Sequence, residues 1–94
     1  EGVERGFHAH KGLQQVAVAV RGSCIMMLDD GREKTEILMN DPTKGLYIGP
    51  MVWREMKKFT EDCVLMVFAD QHYAEEDYLR NYAEFLELLS DTSQ

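Results

Sequence analysis

Two histidines separated by a single residue, His8 and His10, carry the densest chemistry in this sequence. Side chains alternate faces along a strand, so residues i and i+2 project from the same side. Two imidazoles on one face can hold a metal, or they can pass protons. An unperturbed pKa of about 6.5 suits the second task near neutral pH. An isolated His-x-His pair is more often two exposed rings at a strand entry, so the neighbouring residues must decide. The third histidine, His72, has no motif around it and reads as a surface or capping residue.

The elements that must position the pair are legible as short strands. Gln15–Val20 is rich in β-branched residues, and Cys24–Leu28 follows after Arg21-Gly22-Ser23. Asp30-Gly31 is a hairpin signal, with Thr35–Met39 as the return strand. Leu46–Ile48 and Val52–Glu55-Met56 are further short strands around Gly49-Pro50. Cys63–Ala69 is an uninterrupted apolar run, expected to be a strand buried on both faces. Met26, Met27 and Met39 read as core filler. From Glu75 to Leu89 the apolar residues Tyr78, Leu79, Tyr82, Phe85, Leu86 and Leu89 fall at helical spacing. Glu75, Glu76 and Asp77 are expected to be its solvated first turn, and Asp91 to Gln94 its frayed end. Regularly spaced short strands with one terminal helix predict an all-β antiparallel sandwich or barrel whose helix covers an edge strand or a sheet face.

The 94 residues form one domain, 1–94. A domain of this size buries only roughly 60–65% of its unfolded surface, so pairing with another copy, or membership of a longer chain, is expected. The first residue is Glu1, and a segment upstream of it is expected. The net charge of −7, with no basic cluster longer than Lys57-Lys58, argues against nucleic acid and anionic membrane as partners. No stretch approaches a membrane span, and the cytoplasm is the expected location. Cys24 and Cys63 each lie in an apolar run and are expected to be buried free thiols.

The spacing Gly2, His8, His10, Gln15, Gly22 resembles the first motif of the cupin sandwich. In that family two His and a Glu hold a metal, and a second motif adds a His. Here Gln15 stands in the Glu position. The second-motif region, Gly45 to Arg54, contains no His, and Arg54 is a cation. Two imidazoles and a neutral amide are a poor ligand set for zinc or for the iron facial triad. That leaves the histidines for acid/base work and predicts no metal and no cofactor.

A narrower resemblance covers nearly the whole chain. Arg5-Gly6-Phe7-His8-Ala9-His10-Lys11, then Gln15, Gly22-Ser23-Cys24, Leu28-Asp29-Asp30-Gly31, Lys44-Gly45-Leu46-Tyr47-Ile48-Gly49-Pro50 and Trp53 resemble the sugar 3,4-ketoisomerase family, WxcM-like members of the cupin superfamily. Glu75-Glu76-Asp77-Tyr78, Arg80 and Tyr82 resemble its C-terminal helix. The resemblance implies a jelly-roll sandwich and a homodimer, in some members with exchanged N-terminal strands. It also implies a metal-free enzyme that moves the ketone of dTDP-4-keto-6-deoxyglucose from C4 to C3, for deoxyamino-sugar and polysaccharide biosynthesis. His10 is expected to be the base at C3 and His8 its partner. Arg5 and Lys11 are expected to meet sugar or diphosphate, Gln15 and Tyr47 to line the pocket, Trp53 to stack on thymine or sugar, and Arg54 to face the diphosphate. Competing expectations are a 3,5-epimerase on the same substrate class, a sugar-nucleotide-binding or dimerisation module without activity, and a metal-dependent cupin oxygenase.

Overall fold

The computed structural model describes residues 4–72 and 74–92, so Gly2 of the cupin spacing lies outside the described residues. Eight strands occur in chain order: β1 (Arg5–His10), β2 (Gln15–Arg21), β3 (Cys24–Asp29), β4 (Lys34–Met39), β5 (Leu46–Ile48), β6 (Trp53–Lys57), β7 (Val64–Ala69) and β8 (Tyr78–Leu79), followed by α1 (Tyr82–Thr92). All pairings are antiparallel. They make a five-stranded sheet, β4-β3-β6-β1-β8, and a three-stranded sheet, β5-β2-β7.

Small residues on the inner face of β2 let the sheets approach. Ala17 and Ala19 meet Cys24, Met26, Met39 and Ile48 in a buried core between the sheets. The outer face of the five-stranded sheet has its own core, in which Ala9, Trp53 and Leu79 pack under Phe85 of α1, with Met27 beside them. Alternation assigns each strand residue to one of these two layers. On β1, His8 faces the inter-sheet core and Ala9 faces the helix; on β6, Arg54 faces inward and Trp53 faces the helix. The three methionines are core residues as expected, and Cys24 and Cys63 are free, the first buried and the second half-buried.

Two expectations are corrected. The helix does not begin at Glu75. Glu75–Asp77 form a short 3-10 turn, and Tyr78–Leu79 are a strand pairing with Ala9 and His10. An extended pair that satisfies the edge of β1 wins over the helical periodicity, and α1 then runs from Tyr82 through Asp91 to Thr92, with Ser93 and Gln94 outside the described residues. Second, β7 is not buried on both faces. Among the described residues it is an edge strand with one neighbour, β2, and Val64, Met66, Val67 and Phe68 are all exposed.

Candidate active site

The site begins with a backbone irregularity. The β1–β6 register slips between Gly6 and His8, where Phe7 has φ +48° and Gly6 φ +93°. This is a β-bulge. A Cβ on Gly6 would lie 3.0 Å from the Arg54 carbonyl oxygen, so glycine is required both by the dihedral and by the close approach. The bulge resets the alternation: Arg5 lies opposite Met56 and His8 opposite Arg54, and Met56 and Arg54 share the inner face. Arg5, His8 and His10 therefore all point between the sheets, although Arg5 and His8 are an odd number of positions apart.

The two imidazoles meet edge to face, with ring centroids 4.9 Å apart. Tyr78 touches both, at 5.2 Å from His8 and 4.4 Å from His10. His8 donates from Nδ1 to the Gly6 carbonyl at 2.8 Å. His10 donates from Nδ1 to Oδ2 of Asp77 at 3.1 Å. Both acceptors demand a proton on Nδ1, so both rings keep the lone pair on Nε2. Nε2 of His10 is buried and has no hydrogen-bond partner among the described residues.

Burial holds the His8 pKa down to about 4, helped by the nearby Arg54 cation and opposed by the Gly6 carbonyl. Burial also lowers His10, again with Arg54, while the Asp77 carboxylate pulls in the opposite direction. At pH 7 both rings are neutral bases. Arg54 itself is buried and is pulled down to about 10 by desolvation. Its Nη1 donates to Oε1 of Gln15 on the opposite sheet, and its Nη2 to the Val52 carbonyl at 3.2 Å.

A row of cavities follows these residues. One of about 140 Å³ is lined by His10, Gln15, His72, Asp77 and Tyr78. Gln15 also borders a cavity of about 60 Å³ against His8 and Arg54. Met56 connects that to an open cavity of about 500 Å³ beside Arg5, Phe59 and Thr60. Arg5 lies over the Phe59 ring, 5.8 Å from its centroid. The sequence-expected residues His8, His10, Gln15 and Arg54 converge, and Arg5 opens on the same row at its far end. Lys11 is exposed just beyond His10.

Three expectations fail here. Trp53 does not stack on a ligand: it is buried under the helix, 5.7 Å from Phe85 and 5.2 Å from Tyr82, and its indole donates to Glu55 at 2.9 Å. Tyr47 lies opposite Val16 on the outer face of the small sheet and donates its hydroxyl to Gln14 at 2.7 Å, so it does not line the row. Arg54 is not at the surface facing a diphosphate; it is an interior cation between the histidines and Gln15. The sequence reading also missed Asp77, which is a partner of His10 and not solvated helix start, and Tyr78, which walls the pair. His72, read as surface, is exposed but lines the His10 cavity.

A cupin metal does not fit this donor set. The Gln15 oxygen is already taken by a guanidinium, and a buried cation at Arg54 would repel a second one. Asp77 sits on Nδ1 of His10, the side away from the free lone pair, so it cannot join Nε2 in one coordination sphere.

The sequence model of the FdtA family, described as WxcM-like, C-terminal, matches residues 1–90. The TDP-4-oxo-6-deoxy-α-D-glucose-3,4-oxoisomerase of Aneurinibacillus thermoaerophilus is 54% identical over 81 residues, covering 86% of this chain and 58% of that protein. The chain thus spans less than two thirds of the length of this curated relative. Among solved structures, a TDP-fucose-3,4-ketoisomerase from Campylobacter jejuni superposes with a TM-score of 0.92 at 38% identity, covering 98% of this chain and 68% of that one. A sugar 3,4-ketoisomerase from Thermoanaerobacterium thermosaccharolyticum, in complex with TDP, gives 0.93 at 46% identity, covering 98% and 67%. The fold is the cupin jelly-roll sandwich with one C-terminal helix, and the chain belongs to the FdtA family, WxcM-like, C-terminal.

Proposed function

We propose that this chain is a domain, 1–94, of an enzyme that moves the keto group of a nucleotide-linked 4-keto-6-deoxyhexose, dTDP-4-keto-6-deoxyglucose, from C4 to C3 without a metal. The observation that carries the reading is the half-buried His8 beside the buried His10, each held by Nδ1 so that its Nε2 keeps the lone pair. A relative at 54% identity has the same named reaction, and a 46% identical neighbour binds TDP, which supports the substrate class.

The chemistry follows from the site. A base removes the proton on C3, the C3–H electron pair forms the enediolate, and a proton is returned to C4. A second carrier moves the hydroxyl proton between O3 and O4. His10 acts as the carbon base and His8 as its partner. The buried guanidinium of Arg54 supplies positive potential where the enediolate charge develops. Gln15 holds that guanidinium in place. Arg5, at the open end of the row, meets the diphosphate, whereas Lys11 lies beyond His10 at the opposite end.

Two copies are proposed to associate through the small sheet, where Val16, Met66 and Phe68 leave an exposed apolar face. No helix among the described residues is long and apolar enough to cross a membrane. The proposed location is the cytoplasm, with the product feeding deoxyamino-sugar biosynthesis.

The test is incubation of the full-length protein with dTDP-4-keto-6-deoxyglucose in deuterated water, with the product read by NMR. A ketone at C3 and deuterium at C4 are expected. A ketone that stays at C4 with altered stereochemistry makes the protein an epimerase, and tight binding without solvent exchange makes it a binding module. Stoichiometric iron, nickel or zinc in the purified protein overturns the metal-free mechanism.

A further inference from the structure

His10 is held from behind by a carboxylate with two jobs. Asp77 ends the 3-10 turn that precedes β8. Its Oδ2 accepts from His10 Nδ1 at 3.1 Å, and its Oδ1 accepts from the Gly12 backbone amide at 2.8 Å. The main chain reinforces the arrangement: the Lys11 amide donates to the Asp77 carbonyl at 2.9 Å, and His10 pairs with Tyr78 in the β1–β8 ladder. The carboxylate is thus clamped at both oxygens, to His10 at the end of β1 and to the turn that follows it.

We infer that Asp77 is the positioning residue of His10, fixing its tautomer and its ring so that Nε2 is the proton acceptor in the inter-sheet cavity. The inference rests on the ketoisomerase reading for its consequence in turnover, but not for the tautomer itself. The groups around His10 show why such a partner matters. His8 meets the ring edge to face, Tyr78 packs on it, and Arg54 and Arg80 press it towards neutrality. His72 shares its cavity. Asp77 is the anion among these groups, and it offsets the two arginines.

The double clamp makes a sharp test. In Asp77→Asn only one oxygen remains, and the Gly12 amide, which can only donate, must keep it. The new amide nitrogen then faces His10 Nδ1 as a donor. That stabilises the ring with its proton on Nε2, where it cannot accept one.

The experiment is ¹⁵N NMR of the imidazoles in the unmodified chain and in Asp77→Asn, with steady-state kinetics on the full-length protein. Expected in the unmodified protein is His10 protonated on Nδ1. In the Asn variant the proton moves to Nε2 and the His10 titration moves to lower pH. Turnover falls on the order of 10²–10⁴-fold, the range of a positioned general base, with KM nearly unchanged. Asp77→Glu restores the tautomer and part of the rate. A His10 already protonated on Nε2 in the unmodified protein overturns the inference even if no variant folds, and so does an Asn variant with unchanged tautomer and titration. If the unmodified protein has no turnover, the proposed reaction falls while the tautomer measurement still decides the role of Asp77.

Discussion

The guanidinium of Arg54 crosses from the five-stranded sheet to the three-stranded one and donates to the side-chain oxygen of Gln15. This one hydrogen bond joins the two layers beside the histidine pair. It puts a positive charge in the interior with only neutral oxygens as its assigned acceptors.

That charge is a lever on the histidines. Arg54→Met removes a positive charge that lowers both His8 and His10, while their burial persists. Both rings are expected to titrate at higher pH, with burial still holding His8 below the ordinary value of about 6.5. Proton NMR titration of the ring resonances reads the shift directly. Unchanged titration curves contradict the electrostatic role given to Arg54.

Acid should loosen the fold through the same rings. His8 has a folded pKa of about 4, well below its unfolded value. Between those two values the unfolded chain binds more protons, so stability is full above about pH 6.5 and drains away as the pH falls towards 4. His10 acts in the same direction. Denaturant melts at pH 7 and pH 4.5 are expected to show a loss that shrinks in His8→Asn. A His8→Asn protein with the same pH slope as its parent rules this out.

Trp53 and Phe85 separate stability from activity. Phe85→Ala empties the core under α1 and is expected to cost about 3–5 kcal/mol, measured by urea unfolding. Trp53→Phe keeps most of that packing, and since the indole faces the helix, KM for the sugar nucleotide should stay within about twofold of its parent, under 0.5 kcal/mol of binding energy. Tyr47→Phe, which removes only the bond to Gln14, should behave likewise. A tenfold rise in KM from either would restore the stacking or lining roles expected from the sequence.

The strands and the histidine pair were readable because both rest on local signals. Alternation, β-branched runs and Gly-Pro or Asp-Gly punctuation place β2 to β6 within a residue or so of where they lie. What escaped was set by contacts distant in sequence. Tyr78 and Leu79 keep helical phase with Tyr82 and Phe85, yet they pair with β1 almost 70 positions away. That pairing carries Asp77 to His10, so a carboxylate in an acidic run looked like solvated surface. Arg54 was expected to face a diphosphate because the oxygen it binds belongs to the other sheet. The burial expected for Cys63–Ala69 assumed a neighbour on each side, and among the described residues β7 has one.

The open flank of β7 gives a prediction about assembly. Phe68→Glu places a charge on the apolar face of the small sheet. If two copies meet there, sedimentation velocity should show the variant dissociating at concentrations where the parent is a dimer. A variant that sediments like its parent moves the interface elsewhere.

The bulge at Gly6-Phe7 has an evolutionary corollary. An inserted or deleted residue in an unbroken strand would rotate everything beyond it by half a turn and throw both imidazoles out of the interior. With slack already stored upstream of His8, drift in the chain before Gly6 can redirect Arg5, and with it the proposed grip on the far end of a substrate, while the two imidazoles keep their aim. Variation in preference for the nucleotide carrier among relatives is therefore expected to concentrate on the Arg5 side of that joint.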